Sequence, residues 1–540
     1  MPHAGPMDFQ ALILCGPGGS LNTFTSRPEE YPKCLIQVAN RPMVFYAIDF
    51  CIRSGVTNIT LITPALAFPP LRAALDQNPH LTSFYSHPVS VIAPKDLEMT
   101  MGTAEVLRLP EVQRCITTNF LLLPCDIICG VAGESILEAW ISNQCVNGDN
   151  NDSKGAHHPS RPTSGYFDRQ PEYRSGGLAV YYQTDNREES IQEEATDFVA
   201  IAPLERDEAP VIPPPKGPMV PRFSLSKLLM SMPMDTIKEK MKEDKGLLIR
   251  HSLVQNTARI RMLTTFRDAH IYVFPYWVKD LVHYQTKLES VSEDLVGTWA
   301  KSAWQKGLGE KLGLTKNFDE NTIPVNHRDL SPASSHSGAF VDKVIDLREI
   351  STTRTRGGSD QVPDQFNQST VTELPQMLAY VHRGSAPFIR RVDNTGILLS
   401  TSLLLAKLPS IEEVGRKAAS PFAHSQKVAY PEGISLPSNI TKKDCLLGEN
   451  VIVAPAAVIK ESVIGANCQI AGSARIIRCV LMEGVVVESR AQLTGCVIGR
   501  RAHIGRESVL KGCEIQDANV IPKHTNARDE KFMVSKTLCV

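Results

Sequence analysis

From Asn450 the chain reads NVIVAPAAVIKESVIGANCQIAGSARIIRCVLMEGVVVESRAQLTGCVIGRRAHIGRESVLKGCEIQ, and aliphatic residues recur in it at every sixth position. Ile464, Ile470, Ile476 and Met482 keep one phase; Ile498, Ile504 and Leu510 resume it after a reset. A six-residue period matches neither the 3.6 of a helix nor the 2 of a half-buried strand. It is the period of a solenoid in which each hexad forms one side of a triangular coil, three hexads or about 18 residues to the turn. The aliphatic of each hexad points inward and stacks on the one a coil earlier. Gly465, Gly499 and Gly505 each follow an inward residue, where a Cβ would clash as the chain rounds the corner. The pattern predicts a parallel β-helix over residues 445–535, preceded by a linker over 411–444. On this phase Ile477, Val480, Val497 and Val509 face outward. That is more apolar surface than a solvent face needs, and it predicts an assembly face for a second coil.

With 540 residues the chain is too long for one core, so a separate front domain is expected over 1–410. FQALILCG reads as a strand that stops at glycine. RPMVFYAIDFCIRSG reads as a helix, with Val44, Ala47, Ile48, Cys51 and Ile52 at helical spacing and Gly55 at the C-terminal cap. NITLIT follows as a second strand. A strand, a helix and a strand in that order predict an α/β, Rossmann-like fold with a largely parallel sheet. VSVIAP (89–94) and NFLLLPCDIIC (119–129) read as further buried strands, and MGTAEVLRL as a helix start. TTFRDAHIYVFPYWVKDLV reads as a strand then a helix, and LAYVHRGSAPFIRRVDNTG as two late strands of the same domain. Residues 144–176 and 317–372 are polar and aperiodic and read as disordered insertions; PVIPPPKGPMVP, within 203–221, reads as an extended surface loop.

Net charge is −1, so no global field favours nucleic acid or an anionic membrane. No apolar run is long enough to span a bilayer, and the N-terminus lacks the basic region of a signal peptide. The 13 cysteines have no zinc-like spacing. Cys125 and Cys129 read as core thiols rather than ligands, which points to a reducing compartment, the cytosol.

After the first strand comes LCGPGGSLN, a turn with three glycines, Gly16, Gly18 and Gly19. It is not a P-loop, because no lysine follows its last glycine, and not a dinucleotide fingerprint, because position 21 is leucine. A strand, a glycine loop, the PK of YPKCL with Lys33, and NRPM opening a helix together resemble the sugar-nucleotide pyrophosphorylase class of nucleotidyltransferases. The resemblance implies that MGTA, with Gly102 and Thr103, contacts a base. It implies that LLPCD carries a magnesium-binding aspartate, Asp126, and that RRVDNTG carries a second, Asp393. It also implies an arginine just after the glycine loop, where this chain has Leu21. A leucine donates nothing to a triphosphate, and loss of such a clamp costs on the order of 10² to 10³ in rate. Pro17 removes a further backbone N–H from the cradle. The loop therefore keeps the outline of a nucleotide site without its full machinery. Gly16, Gly18, Gly19, Lys33, Gly102, Thr103 and Asp126 are candidates for nucleotide binding; no catalytic residue, metal or cofactor is expected. The bland alternatives are a solvated strand-edge lysine for Lys33 and a loop cap for Asp126.

A transferase-like front with a degraded loop and a left-handed β-helix behind it is similar to the gamma and epsilon subunit family of the eukaryotic translation initiation factor 2B complex. That complex is the guanine-nucleotide exchange factor for initiation factor 2. ALILCGPGGSLNTFTSRPEEYPKCLIQVANRPMVFYAIDFCIRSGV, ESVSEDLVGTWAK and the hexads carry the resemblance. Epsilon adds a C-terminal helical exchange domain. This sequence stops at Val540, soon after the hexads, which favours the gamma side of the resemblance. The resemblance implies a non-catalytic subunit. Its expected partners are a homologous epsilon subunit, the other exchange-factor subunits and initiation factor 2, with no direct nucleic acid and no membrane. It favours a heterodimer of coils over a self-paired dimer or trimer. The alternative from another class is an active mannose-1-phosphate guanylyltransferase; a third is a regulator that binds nucleotide without turnover.

Overall fold

The computed structural model describes residues 9–17, 19–84, 87–98, 100–149, 174–185, 191, 194–204, 225–257, 259–314, 374–384, 387–435 and 438–533. The insertion read at 317–372 and nearly all of the Pro-rich stretch lie outside the described residues, as do 150–173 of the first insertion. Residues 144–149 are not loop: they finish the helix Gly133–Asp149.

The front domain is built on a nine-stranded mixed sheet. Across it the strands run Val89–Ile92, Asn58–Ile62, Phe9–Leu14, Asn119–Pro124, Arg261–Phe274, Gly177–Gln183, Met377–His382, Leu225–Pro233 and Asp197–Pro203. The first four are parallel, and Arg261–Phe274 joins them antiparallel. Apolar residues alternate between two cores. Ala11, Ile13, Leu121 and Leu123 enter one; Leu12, Phe120 and Leu122 enter the other. That double burial is why NFLLLP is continuously apolar. The chain leaves Phe9–Leu14 toward one edge of the sheet and returns on its other side at Asn119–Pro124. The strand order therefore switches at the carboxyl ends of these two strands, where α/β sheets bind ligands.

The expectation of one strand over 119–129 needs correction. The strand breaks at Cys125–Asp126, and Ile127–Cys129 pairs instead with Ile389–Arg391 in a separate two-stranded sheet. Ending the first strand there leaves Asp126 in the turn at the switch point, where its backbone carbonyl accepts from Val392 N–H at 2.8 Å.

The C-terminal part is a left-handed parallel β-helix of three sheets. Its register corrects the coil length. Ile464 pairs with Leu481, Ile470 with Val487 and Ile476 with Leu493, so a coil has 17 residues, two hexads and a pentad. The inward residue after Ile476 is thus Leu481, and Met482 packs against the front domain's core. The shortfall of one residue per coil is the physical cause of the reset in the repeat. Each corner places one residue at positive φ, in columns 17 apart: Asn450, Asn467, Gly484, Arg501 and Ala518 form one. The glycines behave as expected from crowding. A Cβ on Gly465 would lie 2.7 Å from the backbone of Glu483, one coil on. Bridges from Val428 to Leu447 and from Ile434 to Val453 start the first coil ahead of residue 445.

The outward apolar face is also corrected in part. Val480 and Val497 are buried, and with Leu446, Val463 and Met482 they belong to the front domain's own core. The chain covers this face itself, through the helix Thr395–Lys407 and the loops after the first strand. Polar contacts fix the seam: Asn40 Nδ2 donates to the Ile464 carbonyl at 2.8 Å, and the Arg500 guanidinium lies 3.4 Å over the Tyr31 ring centre.

Candidate functional site

At the switch point lies a cavity of about 210 Å³ lined by Gly16, Lys33, Thr103, Asp126, His270 and Arg391, among others. The sequence-derived candidates Gly16, Lys33, Thr103 and Asp126 are therefore brought together. Gly19 starts a short 3-10 turn, Gly19–Leu21, and is not part of the lining; Gly18 lies outside the described residues. Gly102 stands behind the wall, where a Cβ would meet the Glu289 carbonyl at 2.2 Å. Its close approach lets Ala104 N–H donate to that carbonyl at 2.9 Å, while the Thr103 hydroxyl accepts from Val291 N–H, also at 2.9 Å. The loop expected to read a base is held by the ESVSEDLV segment, which adds Val291 and Ser292 to the lining.

Lys33 Nζ and Asp126 Oδ2 are 2.7 Å apart, and Asp126 is 1% exposed. Arg391 Nε stands 3.6 Å from Asp126 Oδ1, too far for a hydrogen bond, and that oxygen has no hydrogen-bond partner. Burial pushes the Asp126 carboxyl up, but Lys33 and Arg391 outweigh it and hold the group well below the usual carboxylate range. Burial likewise opposes the charge on Lys33, and Asp126 more than restores it. The side chains of Lys33, Arg391 and Asp126 give the cavity a formal charge of +1. His270 is held neutral, first by burial and then by the Arg391 charge.

Asp393 does not line the cavity: Arg267 binds it, Arg391 Nη2 stands 4.0 Å away, and Glu194 closes the network onto Arg267 and Arg390. The residues do not fit a divalent ion. Asp126 is the one carboxylate among the lining residues, it sits between two cations, and no group of three His, Cys, Asp or Glu among the described residues can hold a metal. Leu21 is 1% exposed and packs in the core with Phe24 and Tyr31 rather than toward the cavity. The chain after it is tied to the β-helix, Thr23 Oγ1 donating to Glu514 at 3.0 Å and Gln516 Nε2 to Ser26 Oγ at 2.6 Å. A cavity with net positive charge and backbone N–H groups nearby can hold an anionic group. The side chain that would complete a phosphate clamp is turned into the core.

Sequence reasoning missed Arg391, His270 and Tyr272. Arg391 stands two residues before Asp393 in a segment already singled out, and the pairing of Ile389–Arg391 with Ile127–Cys129 delivers it. His270 sits at a register shift in its strand with φ +53°, which no periodicity announces.

Residues 439–539 match the family model of the GMPPB C-terminal domain. Two curated relatives are similar to the chain. The Schizosaccharomyces pombe translation initiation factor eIF2B subunit gamma is 25% identical over 303 residues, 56% of this chain and 53% of that protein. The Caenorhabditis elegans protein of the same name is 26% identical over 150 residues, 26% of this chain and 35% of that one. The chain thus spans about half or less of the length of the curated relatives it matches. In its transferase-like front, its hexapeptide β-helix and its relatives, the chain is similar to the gamma subunit of eIF2B, as the resemblance read from its sequence implied.

Proposed function

We propose that the chain is a non-catalytic, cytosolic subunit of the guanine-nucleotide exchange factor for initiation factor 2. In this reading it pairs with a homologous epsilon subunit and supports the exchange of GDP for GTP in translation initiation. The observation that carries the reading is the similarity to eIF2B gamma subunits over 303 residues. The cavity supports it: Lys33 and Asp126 satisfy each other, Asp393 is taken by Arg267, and the arginine position holds a buried leucine. The test is co-expression of the full chain with an epsilon subunit. A stable complex that also retains initiation factor 2 is expected; separate elution of the chain contradicts the proposal.

A second reading is a mannose-1-phosphate guanylyltransferase, favoured by the GMPPB C-terminal domain match. That match covers the β-helix, which carries none of the cavity. Pyrophosphate release from GTP, mannose 1-phosphate and magnesium separates the readings: background turnover is expected, and turnover above it supports the enzyme.

A further inference from the structure

Five of the twelve large apolar side chains that stand exposed among the described residues fall within 22 residues: Met241, Leu248, Ile249, Val254 and Met262. Leu248 is 74% exposed and Val254 59%. These residues share one small body. The helix Met234–Glu243, the segment to Asn256 and the start of Arg261–Phe274 close over a satellite core in which Ile237, Leu253 and Trp304 meet Phe198, Ala200, Ala202 and Leu229 of the sheet, with Leu247 and Ile260 against it. Leu253 points in from the helix His251–Asn256, and its neighbour Val254 points out. Five exposed apolar side chains on the short segment that closes this core are more than isolated surface exposure accounts for.

The charge around them is mainly positive, although the Met234–Glu243 helix beside Met241 also carries Glu239 and Glu243. From Lys245 to Met262 the sequence carries Lys245, Arg250, Arg259 and Arg261 and no carboxylate. Lys301 joins this group from the Gly297–Ser302 helix, and burial together with Lys240 and Arg250 lowers its proton affinity against the pull of Glu293. No ion pair joins Lys240, Arg250 or Lys301 to a carboxylate among the described residues. Like charges left together at the rim of an apolar surface steer in a partner of opposite sign.

We propose that this surface, over the Asp197–Pro203 and Leu225–Pro233 strands of the front domain, docks an acidic amphipathic segment of a partner protein. Apolar side chains of that segment cover Leu248 and Val254, and its carboxylates meet Lys240, Arg250 and Lys301. Nucleic acid would use the cations alone and leave the leucine and valine exposed, which is why the surface favours a peptide.

The test uses the full chain and two labelled probes, followed by fluorescence anisotropy. One is a 20-residue helical peptide with leucines at i, i+3 and i+4 spacing and glutamates elsewhere; the other is a 20-nucleotide single-stranded RNA. The peptide is expected to bind, with affinity falling as salt rises. Leu248→Asp and Arg250→Glu should each weaken binding at least tenfold. Leu66→Asp, at an exposed leucine elsewhere, should leave it unchanged. Because Leu248 is mostly exposed, its replacement does not threaten folding, and an unchanged thermal midpoint confirms that. Absence of peptide binding overturns the proposal. So does binding indifferent to Leu248→Asp, and so does a preference for RNA that depends on Arg250 alone.

Discussion

Lys33 and Asp126 form a buried pair whose members hold each other charged, and Lys33→Met would leave the carboxylate with only the more distant Arg391. Breaking a buried pair from one side costs about 3–5 kcal/mol, so urea unfolding of Lys33→Met should show a loss of that order. A second buried carboxyl works in the opposite sense. Asp268 accepts from Tyr272 OH at 2.5 Å and from His270 N–H at 2.8 Å; burial, and then the charge of Asp197, push it up to about 7. The folded chain therefore keeps a proton that the unfolded chain releases from near pH 4 upward. Stability should fall as pH rises between about 4 and 7, with a slope approaching 1.4 kcal/mol per pH unit for one proton, and level off above. Asp268→Asn should flatten that slope in pH-dependent denaturation, whatever it does to stability at a single pH. At position 21, an arginine would be forced into a core site that is 1% exposed. Leu21→Arg should lose at least about 3 kcal/mol and gain no transferase activity in a pyrophosphate-release assay.

At the scale of elements, the hexads and the first βαβ unit were legible because burial imposes a period on the sequence. Ile464 and Ile470 repeat because each must fill a coil, and Val44 to Ile52 repeat because one helix face meets the sheet. The 17-residue coil was less legible: Met482 is as apolar as Leu481, and only the register tells which of them points inward. The outer valines carried a true signal of burial, but sequence does not say what covers a face. Val480 and Val497 turn out to meet their own front domain. A consequence follows for truncation. Deleting residues from Cys445 onward should not leave a well-behaved front domain, because it strips Leu446, Val463, Val480, Met482 and Val497 from a shared core. At about 25 cal/mol per Å² of apolar surface re-exposed, the truncated chain should unfold at lower urea or aggregate. Size-exclusion chromatography and urea titration of the truncated and full chains check this; equal midpoints would show that the two parts fold independently.

For the whole molecule, the front pocket and the β-helix are one connected system, since the loop after Leu21 is held by Glu514 and Gln516. The resemblance to sugar-nucleotide pyrophosphorylases, carried by the glycine loop, YPK, MGTA and LLPCD, pointed to four residues that line the cavity, Gly16, Lys33, Thr103 and Asp126. It did not locate Arg391 or His270, which arrive from distant segments through pairings that leave no local pattern. The resemblance alone suggested Asp393 as a metal ligand; in the structure it is an ion-pair partner of Arg267. The role proposed for this chain is to support nucleotide exchange without performing it. Its most direct test is the rate of GDP release from initiation factor 2 with the full chain alone, with an epsilon subunit alone, and with both. The account predicts a rate at the spontaneous level for the chain alone and a rate for the pair above that of epsilon alone. Release by the isolated chain as fast as by the pair, or no gain over epsilon when the two are combined, would contradict it.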